Sequence, residues 1–171
     1  MESAARKVRL LVCDVDGTLT SGHLSYDSEG ADGKAFNVID GMGIQMLARS
    51  GIRVGLLSAK KSEVVRGRAK DLDLAFCLDG ISDKLTKLDE LLPTLGVTYD
   101  EIAYIGDDLN DLPCLGRSAF PATVANARPE VKRVAAYITR ARGGDGAVRE
   151  LAEVLLRAQG LWEDNVARYE A

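Results

Sequence analysis

The chain is predicted to be an α/β protein on an open, doubly wound parallel sheet of Rossmann-like order, with a small β-hairpin inserted near its start. Three observations predict this. Short apolar runs alternate with helix-period segments from end to end, the order that builds a parallel sheet with helices on both faces. Acids and a hydroxyl stand just past the ends of those runs, where such sheets bind their ligands. One turn-rich segment interrupts the alternation. The 171 residues, free of internal repeats and low-complexity linkers, read as a single domain over 1–171.

Val8–Cys13 is a continuous apolar run and the first buried strand. Residues 20–38 read as the hairpin, in which His23-Leu24-Ser25-Tyr26-Asp27 and Lys34-Ala35-Phe36-Asn37-Val38 flank the turn residues Ser28–Gly33. A hairpin alone is marginal in water, so this one is expected to pack on its own domain or on a neighbouring subunit. Gly43–Arg49, following Asp40, is the first helical pattern. Ile52–Leu57 is the second strand and ends at Ser58; the helical stretch Ser62–Asp71 follows. Leu74–Cys77 is the third strand, and Ser82–Leu92 carries Leu85, Leu88, Leu91 and Leu92 at helical spacing. Thr98-Tyr99-Asp100-Glu101 reads as a capping box before the fourth strand, Ile102–Ile105. The last helix, about Gly146 to Gln159, places Val148, Leu151, Val154 and Leu155 on one face and ends at Gly160. Residues 160–171 form a tail whose packing the sequence leaves open.

Composition excludes several classes. An apolar fraction of 46% and a charged fraction of 28% are ordinary for a globular protein. Net charge is −4, from 22 basic and 26 acidic residues, and no basic stripe stands out, which argues against a nucleic-acid partner. No apolar run approaches the ~20 residues of a membrane span, and Met1–Lys7 lacks a signal-peptide core. A cytoplasmic protein with no membrane partner is expected. Cys13, Cys77 and Cys114 show no metal-ligand spacing and read as small buried hydrophobes.

The chemistry-bearing residues converge on one rim. Asp14-Val15-Asp16-Gly17-Thr18 leaves the first strand with two carboxylates one residue apart, and Gly17 permits the turn such a loop needs. Gathered acids raise one another's pKa unless a cation neutralises them. Ser58 ends the second strand, Lys84 follows the third, and Gly106-Asp107-Asp108-x-x-Asp111 follows the fourth. Asp14 and Asp107, with a backbone carbonyl, suit Mg²⁺, a cation that takes oxygen ligands. Blander readings stand beside these. Ser58 can be a helix N-cap, Lys84 alone would be a surface lysine, and Asp108 and Asp111 suit the first turn of a helix. His23 reads as a hairpin residue, Gly41-Met42-Gly43 is no dinucleotide fingerprint, and the roles of Arg149 and Gly143-Gly144 stay open.

Asp14-x-Asp16-Gly17-Thr18, Ser58, Lys84 and Gly106-Asp107-Asp108-x-x-Asp111 resemble, in order, the four motifs of the haloacid-dehalogenase-like phosphohydrolases. Lys34-Ala35-Phe36-Asn37-Val38-x-Asp40-Gly41 and Gly143-Gly144-x-Gly146-Ala147-x-Arg149-Glu150 are similar to the small capless branch that contains 3-deoxy-D-manno-octulosonate 8-phosphate phosphatase. The resemblance implies a Mg²⁺-dependent phosphomonoesterase without a cap domain. It implies Asp14 as nucleophile, Asp16 as acid and base, Ser58 and Lys84 as phosphate binders, and Asp14, Asp107 and the Asp16 carbonyl as metal ligands. It also implies substrate binding by Lys34, Phe36, Asp40, Gly41, Ala59, Lys60 and Arg68, and a homotetramer whose hairpin reaches a neighbour's active site. The chain departs from that branch at Ala59-Lys60, where Gly-Arg is usual; lysine keeps the charge and loses the planar fork. A nine-carbon sugar-acid phosphatase and a non-catalytic oligomerisation module are the alternatives.

Overall fold

The computed structural model describes residues 2–30 and 32–170. Its elements in chain order are α1 (Glu2–Ala5), β1 (Leu10–Cys13), β2 (Ser25–Tyr26), β3 (Asp32–Gly33), α2 (Val38–Arg49), β4 (Arg53–Leu57), α3 (Glu63–Asp71), β5 (Phe76–Leu78) and α4 (Lys84–Leu95). They continue with β6 (Ile102–Gly106), α5 (Leu112–Arg117), β7 (Phe120–Thr123), α6 (Pro129–Val134), β8 (Tyr137–Ile138), α7 (Ala147–Ala158) and α8 (Trp162–Ala167). Six strands form one sheet in the order β5-β4-β1-β6-β7-β8, every pair parallel. This is the expected α/β architecture.

The chain runs outward from β1 to β5, then crosses back to β6 and runs outward the other way. The reversal at β1 opens a crevice at the carboxyl ends of the central strands. Register makes those ends level, since Cys13 pairs with both Leu56 and Ile105. Asp14, Ser58 and Asp107 therefore leave the sheet on one rim. All four residues of β1 are buried, so the strand that launches Asp14 is held on both faces. The helices α1, α2, α7 and α8 make one contiguous packed set, and α4, α5 and α6 another.

Several sequence boundaries move. The hairpin exists, but its second strand is Asp32–Gly33, inside the expected turn, with Ser25 opposite Gly33 and Tyr26 opposite Asp32. Lys34–Asn37 is an extended lead-in, because Asn37 caps α2 by accepting the Ile39 N–H at 2.9 Å. The helix thus starts five residues before Gly43 and contains Asp40. Ala31 of the expected turn, with Met1 and Ala171, lies outside the described residues. The N-cap of α3 is Ser62, whose hydroxyl accepts the Val65 N–H, and not Ser58. The third strand is Phe76–Leu78, shifted past Leu74–Cys77. Strands β7 and β8 and helices α5 and α6 carry no element in the sequence reading. The capping box at Thr98–Glu101 is present.

The tail docks on its own chain. Trp162 lies under two guanidinium groups, Arg157 at 4.4 Å and Arg149 at 5.6 Å from the ring centroid. Asn165 is buried and donates to Ser50 Oγ at 2.8 Å, and Arg49 donates to Tyr169 Oη at 2.9 Å.

Candidate active site

The loop after β1 is built to turn sharply. Asp14 N donates to Ile105 O at 2.9 Å, extending the ladder by one residue. The Val15 carbonyl then accepts the N–H groups of Leu19 and Thr20, each at 3.0 Å. Gly17 has φ +96°, and a Cβ there would overlap the Asp107 carboxylate, so only glycine brings the two acidic loops together. Asp14 is 5% exposed, whereas Asp16 keeps an open edge.

Lys84, the first residue of α4, reaches into this loop and is itself buried. Its Nζ donates to Asp14 Oδ1 at 2.5 Å and to Asp111 Oδ1 at 2.7 Å. Asp111 is fully engaged. Tyr104 Oη donates to its Oδ1 at 2.7 Å, and the N–H groups of Asp107 and Asp108 donate to its Oδ2 at 3.0 and 3.3 Å. Asp107 accepts from Thr18 Oγ1 at 3.2 Å. One carboxylate oxygen each from Asp14, Asp107 and Asp111 lie within 4.8 Å of one another.

Three carboxylates against one ammonium leave the cluster short of positive charge. Burial and the Asp111 carboxylate push the Asp14 carboxyl well above its usual range, against the pull of Lys84. The same two causes push Asp107 up to about 6. Burial works against the charge of Lys84, but Asp14 and Asp111 outweigh it and raise its pKa. A hard dication would relieve this excess, and the donor set fits one. Asp111 is saturated by its four donors, which leaves Asp14 and Asp107 as the carboxylates best placed to hold it.

The other expected site residues divide into groups. The Lys34 ammonium forms an ion pair with Asp16 and is itself buried. Ser58 is buried at the end of β4, with its hydroxyl on the Lys60 carbonyl at 3.3 Å. Lys60 donates to Tyr26 Oη on the hairpin at 2.8 Å, and Ala59 beside it is exposed. Phe36, Asp40, Gly41 and Arg68 instead line a cavity of about 10 Å³, room for one water. Arg68 stacks over the Phe36 ring at 5.7 Å and fills the space that a side chain at Gly41 would need. Asp40 Oδ1 caps α7 from outside, accepting the Arg149 N–H at 2.8 Å, while its buried Oδ2 has no partner among the described residues. Burial raises the Asp40 pKa despite the N–H groups of Arg149, Gly146 and Val148.

Two groups escaped a clear sequence reading. Asp111 is the hub of the cluster, a role its first-turn position hides, and Tyr104 sits in β6 with nothing in one dimension to mark its hydroxyl. Gly143-Gly144 acquires a place. Gly143 N donates to Asn126 Oδ1 at 2.9 Å, Gly144 N donates to Thr18 O at 3.0 Å, and a Cβ at 143 would collide with the Gly17 carbonyl.

Comparison with known proteins agrees with this geometry. A family model described as haloacid dehalogenase-like hydrolase matches residues 77–151. The chain is 41% identical over 155 residues to 3-deoxy-D-manno-octulosonate 8-phosphate phosphatase KdsC of Yersinia pestis, covering 91% of this chain and 83% of that protein. It belongs to that phosphatase family. Among solved family members, the enzyme from Moraxella catarrhalis, in complex with magnesium ion, phosphate ion and KDO, is 40% identical with a TM-score of 0.96, covering 98% of this chain and 97% of that one. A probable YrbI family phosphatase from Pseudomonas syringae is 42% identical with a TM-score of 0.97, covering 99% and 97%.

Proposed function

We propose that this chain is a Mg²⁺-dependent phosphomonoesterase that hydrolyses 3-deoxy-D-manno-octulosonate 8-phosphate to the free sugar acid and phosphate. The observation that carries this reading is the Moraxella relative, which shares the fold over nearly the whole chain and holds magnesium, phosphate and KDO. The family membership and the acid cluster of Asp14, Asp107 and Asp111 support it.

In this reading Asp14 is the nucleophile, and Lys84 holds its carboxylate in place. Asp14 attacks phosphorus and forms an aspartyl phosphate, while Asp16 gives its proton to the leaving sugar oxygen. Asp16 then takes a proton from the water that cleaves the aspartyl phosphate. Lys34, paired with Asp16, fixes that carboxyl at the point of transfer. Ser58 and Lys84 donate to the phosphate oxygens as charge builds on them. Asp14, Asp107 and the Asp16 carbonyl would hold magnesium, which would offset the repulsion between the two anions. Lys34 and Lys60 are the cations assigned to binding the sugar. Phe36, Asp40, Gly41, Ala59 and Arg68 serve binding by shaping the hairpin exit and the rim beside it.

The single domain works in the cytoplasm as a homotetramer, supplying the sugar acid for lipopolysaccharide synthesis, with each hairpin meeting a neighbour's site. Exposed apolar residues near the hairpin, Tyr26, Val38 and Ile39, support such a contact. Phosphate release from a panel of eight- and nine-carbon sugar-acid phosphates, with magnesium and with EDTA, tests the reading. A clear preference for a nine-carbon substrate would move the specificity, and full activity of Asp14→Asn would sink the mechanism.

A further inference from the structure

Among the described residues, one side-chain contact between the hairpin and its own rim is not explained by the chemistry above. Tyr26, on β2, accepts a hydrogen bond from Lys60 Nζ at 2.8 Å, and its ring centroid lies 4.7 Å from the same nitrogen. The tyrosine oxygen therefore anchors the ammonium, which lies beyond the hydroxyl edge of the ring and not over its face. Lys60 in turn is tied to the phosphate side of the rim, because its carbonyl accepts the Ser58 hydroxyl at 3.3 Å. A lysine is a point charge on a flexible stem, and without an orienting partner it loses rotamer entropy on meeting an anion. A tyrosine orients it without adding negative charge of its own.

We propose that Tyr26 is a positioning residue for substrate selection, holding the Lys60 ammonium toward the carboxylate of a sugar-acid phosphate. The inference rests on the proposed function, which requires a substrate anionic at both ends. Lys84 and the metal ligands serve the phosphate end, and Lys34 is engaged with Asp16. Lys60 is the rim cation that the hairpin itself aims. Because the tyrosine is carried by the hairpin, selection is coupled to hairpin placement: a hairpin drawn aside takes the orienting hydroxyl with it.

The test compares kcat and KM for 3-deoxy-D-manno-octulosonate 8-phosphate and for glucose 6-phosphate, which lacks the carboxylate, in wild type, Tyr26→Phe, Tyr26→Ala, Lys60→Ala and the Tyr26→Ala/Lys60→Ala double variant. Tyr26→Ala is expected to raise KM for the sugar-acid phosphate about five- to tenfold, from loss of the hydrogen bond that orients Lys60. The ratio of kcat/KM between the two substrates falls by the same factor. Tyr26→Phe keeps the ring that packs the hairpin and removes the hydrogen bond, so it is expected to show the same factor. In the Lys60→Ala background the Tyr26→Ala effect disappears. An equal loss on both substrates, or the same loss with and without Lys60, overturns the proposal, as does no change at all. Failure of the wild-type protein to hydrolyse the sugar-acid phosphate would instead overturn the proposed function, and the carboxylate assignment with it.

Discussion

Lys84 shows how much one residue can decide. It is a single cation between two buried carboxylates, and removing one partner of such a pair leaves the others uncompensated. Lys84→Met is expected to cost about 3–5 kcal/mol of stability in the metal-free protein, read by urea unfolding, and to abolish phosphate release. Asp107 carries a pH signature. Its carboxyl titrates at about 6 in the folded chain against an ordinary 3.8. A raised acid pKa means the native state binds the proton more tightly than the unfolded one. Its contribution is therefore favourable in acid and is lost as pH rises from about 4 to about 6. Thermal unfolding of the metal-free protein should show stability falling across that window. Added magnesium should raise Tm more at pH 7.5 than at pH 5, where a proton competes for the same oxygen. An equal magnesium shift at both pH values would remove Asp107 from the ligand set.

At the scale of elements, the loops that carry the site are held by backbone fit. Gly143 packs against the Gly17 carbonyl with no space for a methyl group. Gly143→Ala is expected to destabilise by about 1–3 kcal/mol through overpacking and to lower kcat at least tenfold by displacing the Asp14–Thr18 loop. Gly116→Ala, on an exposed helical turn with open space around it, should gain up to about 1 kcal/mol and leave kcat unaltered. The central strands and the acids that follow them were legible in one dimension, because apolar runs and residues at their ends are local signals. Strands β7 and β8 were not. Phe120–Thr123 contains a proline, Tyr137–Ile138 is two residues long, and both are strands only by pairing on β6 and each other. The hairpin's second strand was misplaced for a related reason: Lys34–Val38 alternates like a strand, yet Asn37 spends its side chain on capping α2. Asp111 and Tyr104 meet through the fold, so neither announces the other.

For the whole molecule, the apolar residues left outside are informative. Val38 and Ile39 stand exposed on the first turn of α2, beside the hairpin. Light scattering after size exclusion is expected to give the mass of four chains, and Val38→Asp with Ile39→Asp to shift it toward smaller species with lower activity. A four-chain mass unaltered by both substitutions would move the interface elsewhere. The junction of Gly143-Gly144 with the Asp14 loop bears on how the protein is made. Synthesis delivers the aspartate loop well before the glycine pair, leaving the loop without its backing for on the order of ten seconds at ordinary elongation rates. Asn126, Gly143 and Gly144 all arrive after Lys84 and Asp111. A nascent chain therefore holds the acid cluster and Lys84 before it holds the backing that fixes their loop, and the site is expected to gain its geometry only once Gly143 and Gly144 have been made.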